Sequence, residues 1–314
     1  MRLLGVILLL LLGLPGIARA AVPTADTGAY VASSNRVDSR TLDLSISSQN
    51  VEGSRRSVRL LLPPGWSQTA SRTWPALYFL HGGGDDYRSW SDKTDLKAFS
   101  AGKDVIVVLP DTSWCSAYSD WWNHGNGGSP KWETFVTLEV RQILERGYRA
   151  SDVRAVAGNS MGGLGALKFA ENHPGMFRAA ASFSGNVDPL HSYSGGSDGF
   201  DKPGLACLAD WKRVWGDPAI PAQRAIWVRN DPYEQAAKLA GVRVFLSSGD
   251  GSGGGAADLI EQGVNKQSKA LAGRLGSLGI PVTSHFYSPG THGWSDWQRE
   301  MHRAFPLLLS ALGL

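Results

Sequence analysis

Five short, wholly apolar runs constrain this chain more than any other feature. They are ALYFLHGGG (76–84), DVIVVLPD (104–111), RAVAGNS (154–160), RAAASFSG (178–185) and VRVFLSSGD (242–250), and each ends in turn residues. A strand that is apolar at every position has both of its faces covered. The stretches 131–148, 161–174 and 261–279 lie between or after these runs and have helical length and pattern. Strands alternating with helices specify an α/β fold with a mostly parallel, doubly wound sheet and helices on both faces. A last strand, VTSHFYS (282–288), precedes a terminal helix. Upstream, TLDLSIS (41–47) alternates apolar and polar residues, and SVRLLLPPGW (57–66) reads as its partner in an N-terminal antiparallel hairpin. With no repeat and no interdomain linker, residues 41–314 are expected to form one domain. The small, polar residues 21–40 read as a flexible leader. Residues 191–235 are too long and irregular for a simple connection, which points to a functional cap or pocket wall.

Residues 1–20 stand apart. MRLLGVILLLLLGLPGIARA has one early cation, an apolar run and a terminal A-x-A pattern, the marks of a secretory signal peptide cleaved after Ala20. The run is short for a bilayer span, so no stable membrane span is expected after cleavage. Export to the periplasm or the cell exterior fits the two cysteines, Cys115 and Cys207, which read either as one disulfide or as two buried thiols. The chain carries a formal net charge of only +3 and has no dense basic run, so nothing suggests a nucleic-acid partner.

Ser160 lies in G-N-S-M-G, between an apolar strand and a helix. In that setting a sharp strand-to-helix turn lifts the serine hydroxyl out at the top of the sheet, and glycines on either side relieve the crowded backbone. The competing reading is an ordinary glycine-rich turn, in a chain where 38 of 314 residues are glycine. The strand before and the helix after favour a nucleophile. A serine hydroxyl needs a base, and the base needs an orienting acid. Of the histidines that follow, His173 sits at a helix end, His191 in the irregular segment, His285 in a strand and His302 in an amphipathic helix. His292 lies in SPGTHGW, at the carboxyl end of the last strand, where sites of open α/β sheets gather. It is the best base. Three carboxylates are placed to serve as the acid: Asp250 directly after a strand, and Asp258 and Glu261 ahead of a helix. The oxyanion calls for two backbone donors, one from Met161 after the nucleophile and one from Gly83 in the H-G-G-G loop, where His81 reads as a loop-shaping residue. Trp90, Trp121, Trp122 and Trp294 are candidates for lining an acyl or sugar site, with core packing as the plain alternative. No nucleotide fingerprint, cofactor motif or metal-ligand spacing is present in the sequence, and this chemistry needs none.

Taken together, these blocks resemble the esterase D superfamily of α/β-hydrolases, and most of all the secreted antigen 85 mycolyltransferases. YSDWWNHGNGGSPKWETFVTLEV (118–140) is similar to their S-D-W…K-W-E-T-F segment. WGDPAIPAQRAIWVRNDP (215–232) is similar to their W-G…R-N-D-P segment, and GTHGWSDW (290–297) to their G-T-H-S-W. The resemblance runs from about residue 60 to residue 305. It implies an α/β-hydrolase fold, an acyl-serine mechanism, Ser160 as nucleophile and His292 as base. The family's acid is a glutamate ahead of a helix, which favours Glu261 in DLIEQG over Asp258 and Asp250. One loop departs from the pattern: the mycolyltransferases carry D-G-L-R-A-Q-D-D, whose arginine helps hold trehalose, where this chain has HGGGDD. The expected function is therefore a secreted serine carboxylic-ester hydrolase acting on a small-molecule, lipid or glycan ester. The alternatives are an acyltransferase to a sugar or lipid hydroxyl of the cell envelope and, less favoured, a non-catalytic binding module.

Overall fold

The structure, a computed structural model, describes residues 22–194, 210–255 and 258–314. Nine strands form one sheet: β1 (Tyr30–Arg36), β2 (Thr41–Ser47), β3 (Arg55–Leu61), β4 (Trp74–Leu80), β5 (Ile106–Pro110), β6 (Ala150–Asn159), β7 (Ala179–Phe183), β8 (Arg243–Gly249) and β9 (Val282–Tyr287). Their order is β1-β2-β3-β5-β4-β6-β7-β8-β9. The five apolar runs become β4 to β8, which with β9 are parallel throughout, whereas β1, β2 and β3 add antiparallel strands at one edge.

The pleat divides each apolar strand between two cores. In β4, Tyr78 and Leu80 face the layer that holds Leu164, Leu167 and Phe169 of the helix Met161–Asn172. Leu77 and Phe79 face the layer that holds Met301, Phe305 and Leu308 of the helix Trp294–Leu312. A strand buried on both sides gains roughly 25 cal/mol for each Å² of apolar surface removed from water, on either face. That is why these runs lack the polar alternation seen in β2.

The chain leaves β4 toward β5 on one side and leaves β6 toward β7 on the other. Adjacent strands whose connections diverge in this way open a crevice at their carboxyl ends. Residues 81–84 follow β4 and Ser160 follows β6, so both arrive at that crevice.

The flexible leader expected over residues 21–40 is overturned for its described part. Tyr30–Arg36 is the edge strand β1, antiparallel to β2 from Tyr30↔Ser47 to Arg36↔Leu42. The turn before it is anchored as well: Asp26 N–H donates to Gln142 Oε1 at 2.8 Å, and Thr27 Oγ1 donates to Glu139 Oε1 at 2.6 Å. An edge strand with mostly exposed side chains carries little apolar signal, and its stability comes from backbone pairing that composition does not reveal. The folded unit therefore begins well before residue 41.

Of the expected cap, residues 195–209 lie outside the described residues. The remainder forms short helices, Trp211–Trp215, Pro221–Arg229 and Pro232–Gln235. It packs on the loop after β5, where Trp215 Nε1 donates to Ser119 Oγ at 3.0 Å and Trp122 N–H donates to Val214 O at 3.0 Å.

Candidate active site

Ser160 sits at the turn between β6 and the helix Met161–Asn172 with φ 53° and ψ −119°, a conformation that L residues seldom adopt. Both flanking glycines are required by space. A Cβ at Gly158 would lie 2.3 Å from the Gly162 carbonyl oxygen, and one at Gly162 would lie 2.2 Å from Leu80 O. The strain holds because Ser160 N–H is fixed to Phe183 O at 2.9 Å.

His292 lies five residues beyond β9, in a loop tied down on both sides. Asp250 Oδ1 accepts from Gly290 N–H at 3.2 Å, and Asp296 Oδ2 accepts from Thr291 N–H at 2.7 Å. The His292 ring stands edge-on to Trp297, with centroids 5.1 Å apart. Its Nε2 is 2.9 Å from Ser160 Oγ, and its Nδ1 is 2.7 Å from Glu261 Oε2. A carboxylate accepts and cannot donate, so Nδ1 carries the proton and Nε2 is left to accept from the serine hydroxyl.

Glu261 is fully buried in the first turn of the helix Asp258–Ser277. Its second oxygen accepts from Ser184 Oγ at 2.8 Å and from Gly249 N–H at 2.5 Å. Three donors and a helix N-terminus compensate for burying the carboxylate. The other two carboxylates are engaged elsewhere. Asp258 turns back to accept from Gly254 and Gly255 N–H. Asp250 bonds Ser252 and Gly290, and hydrogen bonds from the Ser252 hydroxyl first and Ser288 next hold its carboxyl down at about 2.

The remaining downstream histidines pair with carboxylates outside this group: His173 with Glu133, His191 with Asp188, His285 with Glu300 and His302 with Asp95. His81 is buried. Its Nε2 accepts from Thr112 N–H at 3.3 Å, which leaves Nδ1 to donate to Gly82 O at 2.8 Å, so the ring shapes the loop. Gly82 lies against Ser160: a Cβ there would be 3.4 Å from Ser160 Cβ. Gly83 follows it directly. Met161 opens the helix after Ser160, where N–H groups have no intrahelical acceptor.

Two of the four tryptophans are core residues. Trp90 is buried and donates to Leu80 O, and Trp121 is buried and donates to Ser116 O. Trp294 is only partly buried and stacks edge-on between Trp90 and Trp297, two residues from His292. A concavity of about 260 Å³, bounded by Gly84, Asp85, Arg88 and Lys93, adjoins the glycine loop. A larger hollow of about 570 Å³, bounded by Phe177, Arg178, Arg243 and Ser310, lies at the opposite ends of β7 and β8, away from Ser160.

Sequence patterns missed the support behind these groups. Ser184 donates to Glu261 and accepts from Trp297 Nε1 at 3.2 Å, which joins the acid to the terminal helix. No local signal marks a lone serine at a strand end. Cys115 is disulfide-bonded, and Cys207 lies outside the described residues. Among the described residues, Asp188, His191 and Asp231 bring potential metal-ligand atoms within 4.8 Å of one another. Asp231 is already committed there, accepting from Leu190, Tyr233 and Glu234 N–H.

Comparison with known proteins adds an independent line. The pattern of a family described as putative esterase matches residues 48–308. The chain is 31% identical over 266 residues to diacylglycerol acyltransferase/mycolyltransferase Ag85B of Mycobacterium intracellulare, covering 78% of each protein. It is 32% identical over 249 residues to esterase Rv1288 of Mycobacterium tuberculosis, covering 75% of this chain and 52% of that one, so it spans about half of that esterase's length. Its fold superposes on an S-formylglutathione hydrolase from Agrobacterium tumefaciens with a TM-score of 0.71, at 18% identity, over 90% of this chain and 99% of the other.

Proposed function

Because the chain belongs to the putative esterase family, we propose that it is an exported serine carboxylic-ester hydrolase that works through an acyl-serine intermediate. The observation that carries this reading is the unbroken line of contacts from Ser160 Oγ through His292 to Glu261, at 2.9 and 2.7 Å. In the proposed reaction His292 Nε2 takes the proton as Ser160 Oγ attacks the ester carbonyl. Glu261 keeps the ring in the productive tautomer and stabilises the imidazolium. The N–H groups of Gly83 and Met161 receive the developing oxyanion, and the helix behind Met161 adds its positive end. His292 then hands its proton to the leaving alcohol. Water, activated by the same histidine, releases the acid.

Transfer to an alcohol in place of water is the second reading, favoured by the acyltransferase among the relatives. Every group above serves it equally; only the acceptor differs. Export rests on the amino-terminal signal pattern and on the disulfide at Cys115, a bond that persists in oxidising compartments.

A fluorophosphonate probe on the purified protein, with Ser160→Ala as control and the adduct mapped by mass spectrometry, tests the core of the proposal. Labelling confined to Ser160 is expected. A folded protein that does not label would overturn it. Esterification of an added sugar or alcohol, measured against release of free acid, separates transfer from hydrolysis.

A further inference from the structure

Asn159 stands in a position that calls for an apolar residue. It is the last residue of β6, and by the two-residue alternation it shares a face with Ala155 and Ala157, both in the core beneath the terminal helix. Its partner across the ladder is Phe183, in the same core. The side chain is fully buried, and neither Nδ2 nor Oδ1 has a hydrogen-bond partner within the protein. An amide left in that state has lost its hydrogen bonds to water and gained none in return, which destabilises the fold. Alanine or leucine would avoid the cost, so packing alone gives no reason for asparagine.

Its location supplies one. A Cβ at Gly82 would fall 2.8 Å from Asn159 Nδ2, so the amide lies directly under the backbone of the first loop glycine. The bonds that hold the H-G-G-G loop run at its ends: His81 Nδ1 to Gly82 O at 2.8 Å, and Gly84 N–H to Trp114 O at 3.2 Å. Between them lies Gly83, whose N–H must stay about 3 Å from an oxygen that appears only as the reaction proceeds. Hydrogen bonds of catalytic groups are often unmade in the free enzyme and tighten in the reacting complex.

We propose that Asn159 is a positioning residue: its buried amide bonds the Gly82–Gly83 backbone as substrate engages, and so sets the height of the Gly83 N–H over Ser160. This inference rests on the serine-hydrolase reading above. The amide takes no proton and touches no reacting atom; it acts through the loop.

The test compares wild type with Asn159→Leu, branched like asparagine but unable to hydrogen-bond, and Asn159→Ser, polar but too short to reach. The readouts are p-nitrophenyl butyrate kinetics, the rate of fluorophosphonate labelling and thermal unfolding. A misplaced catalytic group costs roughly 100-fold. Both variants should lose about that much in kcat and in labelling rate, with KM within about two-fold. The leucine variant should melt no lower than wild type, since it removes two unpaired polar atoms. Unchanged kcat and labelling in the leucine variant, or a loss carried by KM, would overturn the role of Asn159 alone. If the leucine variant fails to fold, the serine variant decides by the same split between kcat and KM. A wild-type protein that does not label at Ser160 would sink both this inference and the reading beneath it.

Discussion

Replacing Glu261 by glutamine changes one atom at the centre of the site, and the structure dictates how the new side chain must sit. One carboxylate oxygen accepts from Ser184 Oγ and Gly249 N–H, and the other faces His292 Nδ1. An amide NH₂ toward Gly249 would set donor against donor in a fully buried site. The amide oxygen therefore keeps Ser184 and Gly249, and the NH₂ turns to His292. Nδ1 must then accept, the ring proton moves to Nε2, and that proton points at Ser160 Oγ, 2.9 Å away. The base is lost while the shape is kept. The wrong tautomer in a Ser-His-acid triad costs about 10⁴ in kcat, or roughly 5 kcal/mol of transition-state stabilisation. The assay is p-nitrophenyl butyrate turnover at pH 8, with circular dichroism and melting curves to establish folding. Asp250→Asn is the matched control; it should cost far less, because Asp250 touches the loop backbone and not the ring. A folded Glu261→Gln enzyme within about ten-fold of wild type, a loss far too small for a tautomer trap, would refute the reasoning. So would an Asp250→Asn enzyme that fell further than Glu261→Gln.

Other expectations follow from the same geometry. Gly162→Ala would push a Cβ to 2.2 Å from Leu80 O, so it should destabilise the fold by about 3 kcal/mol in urea titration and abolish fluorophosphonate labelling. Lys168 is fully buried on the helix behind Ser160, where it donates to Tyr118 O at 3.2 Å and to Ser119 Oγ and faces Glu133 at 3.4 Å; Lys168→Ala removes these contacts, leaves Glu133 with only Asn172 and His173, and should cost about 3 kcal/mol in urea titration. Burial raises the Asp231 carboxyl from 3.8 to about 7. The native state then binds this proton more tightly than the unfolded chain, so the contribution is full below about pH 4 and is lost as the pH rises through about 7. Urea titrations at pH 5 and pH 8 should show a decline in stability that Asp231→Asn flattens; an unchanged slope would contradict this.

The proposed nucleophile and base could be read from the sequence because each is tied to local grammar. Ser160 needs glycines on both sides and a strand running into a helix, and all of that lies within 153–170. His292 needs only to follow the last strand. The parallel sheet was legible because strands covered on both faces cannot conceal their composition. Asn159 was in plain view beside the serine, yet nothing local marks its amide as unpaired; that depends on Gly82, which arrives from another strand.

Composition and short-range pattern thus determined which strands are central, where the chain turns sharply and which side chains reach the crevice. The acid of the proposed triad was a different kind of question. Asp250, Asp258 and Glu261 lie within twelve residues of one another, all close after β8, and all were chemically adequate; the family resemblance alone favoured Glu261. Only the tertiary structure separated them. Asp258 turns one oxygen to Gly254 and Gly255 and does not meet His292, Asp250 is held in the loop clamp, and Glu261 is buried against donors from Ser184, Gly249 and His292. The edge strand β1 escaped for the same reason as the acid. Backbone pairing and the direction of a buried carboxylate depend on partners distant in sequence, and a local pattern carries no information about partners it does not contain.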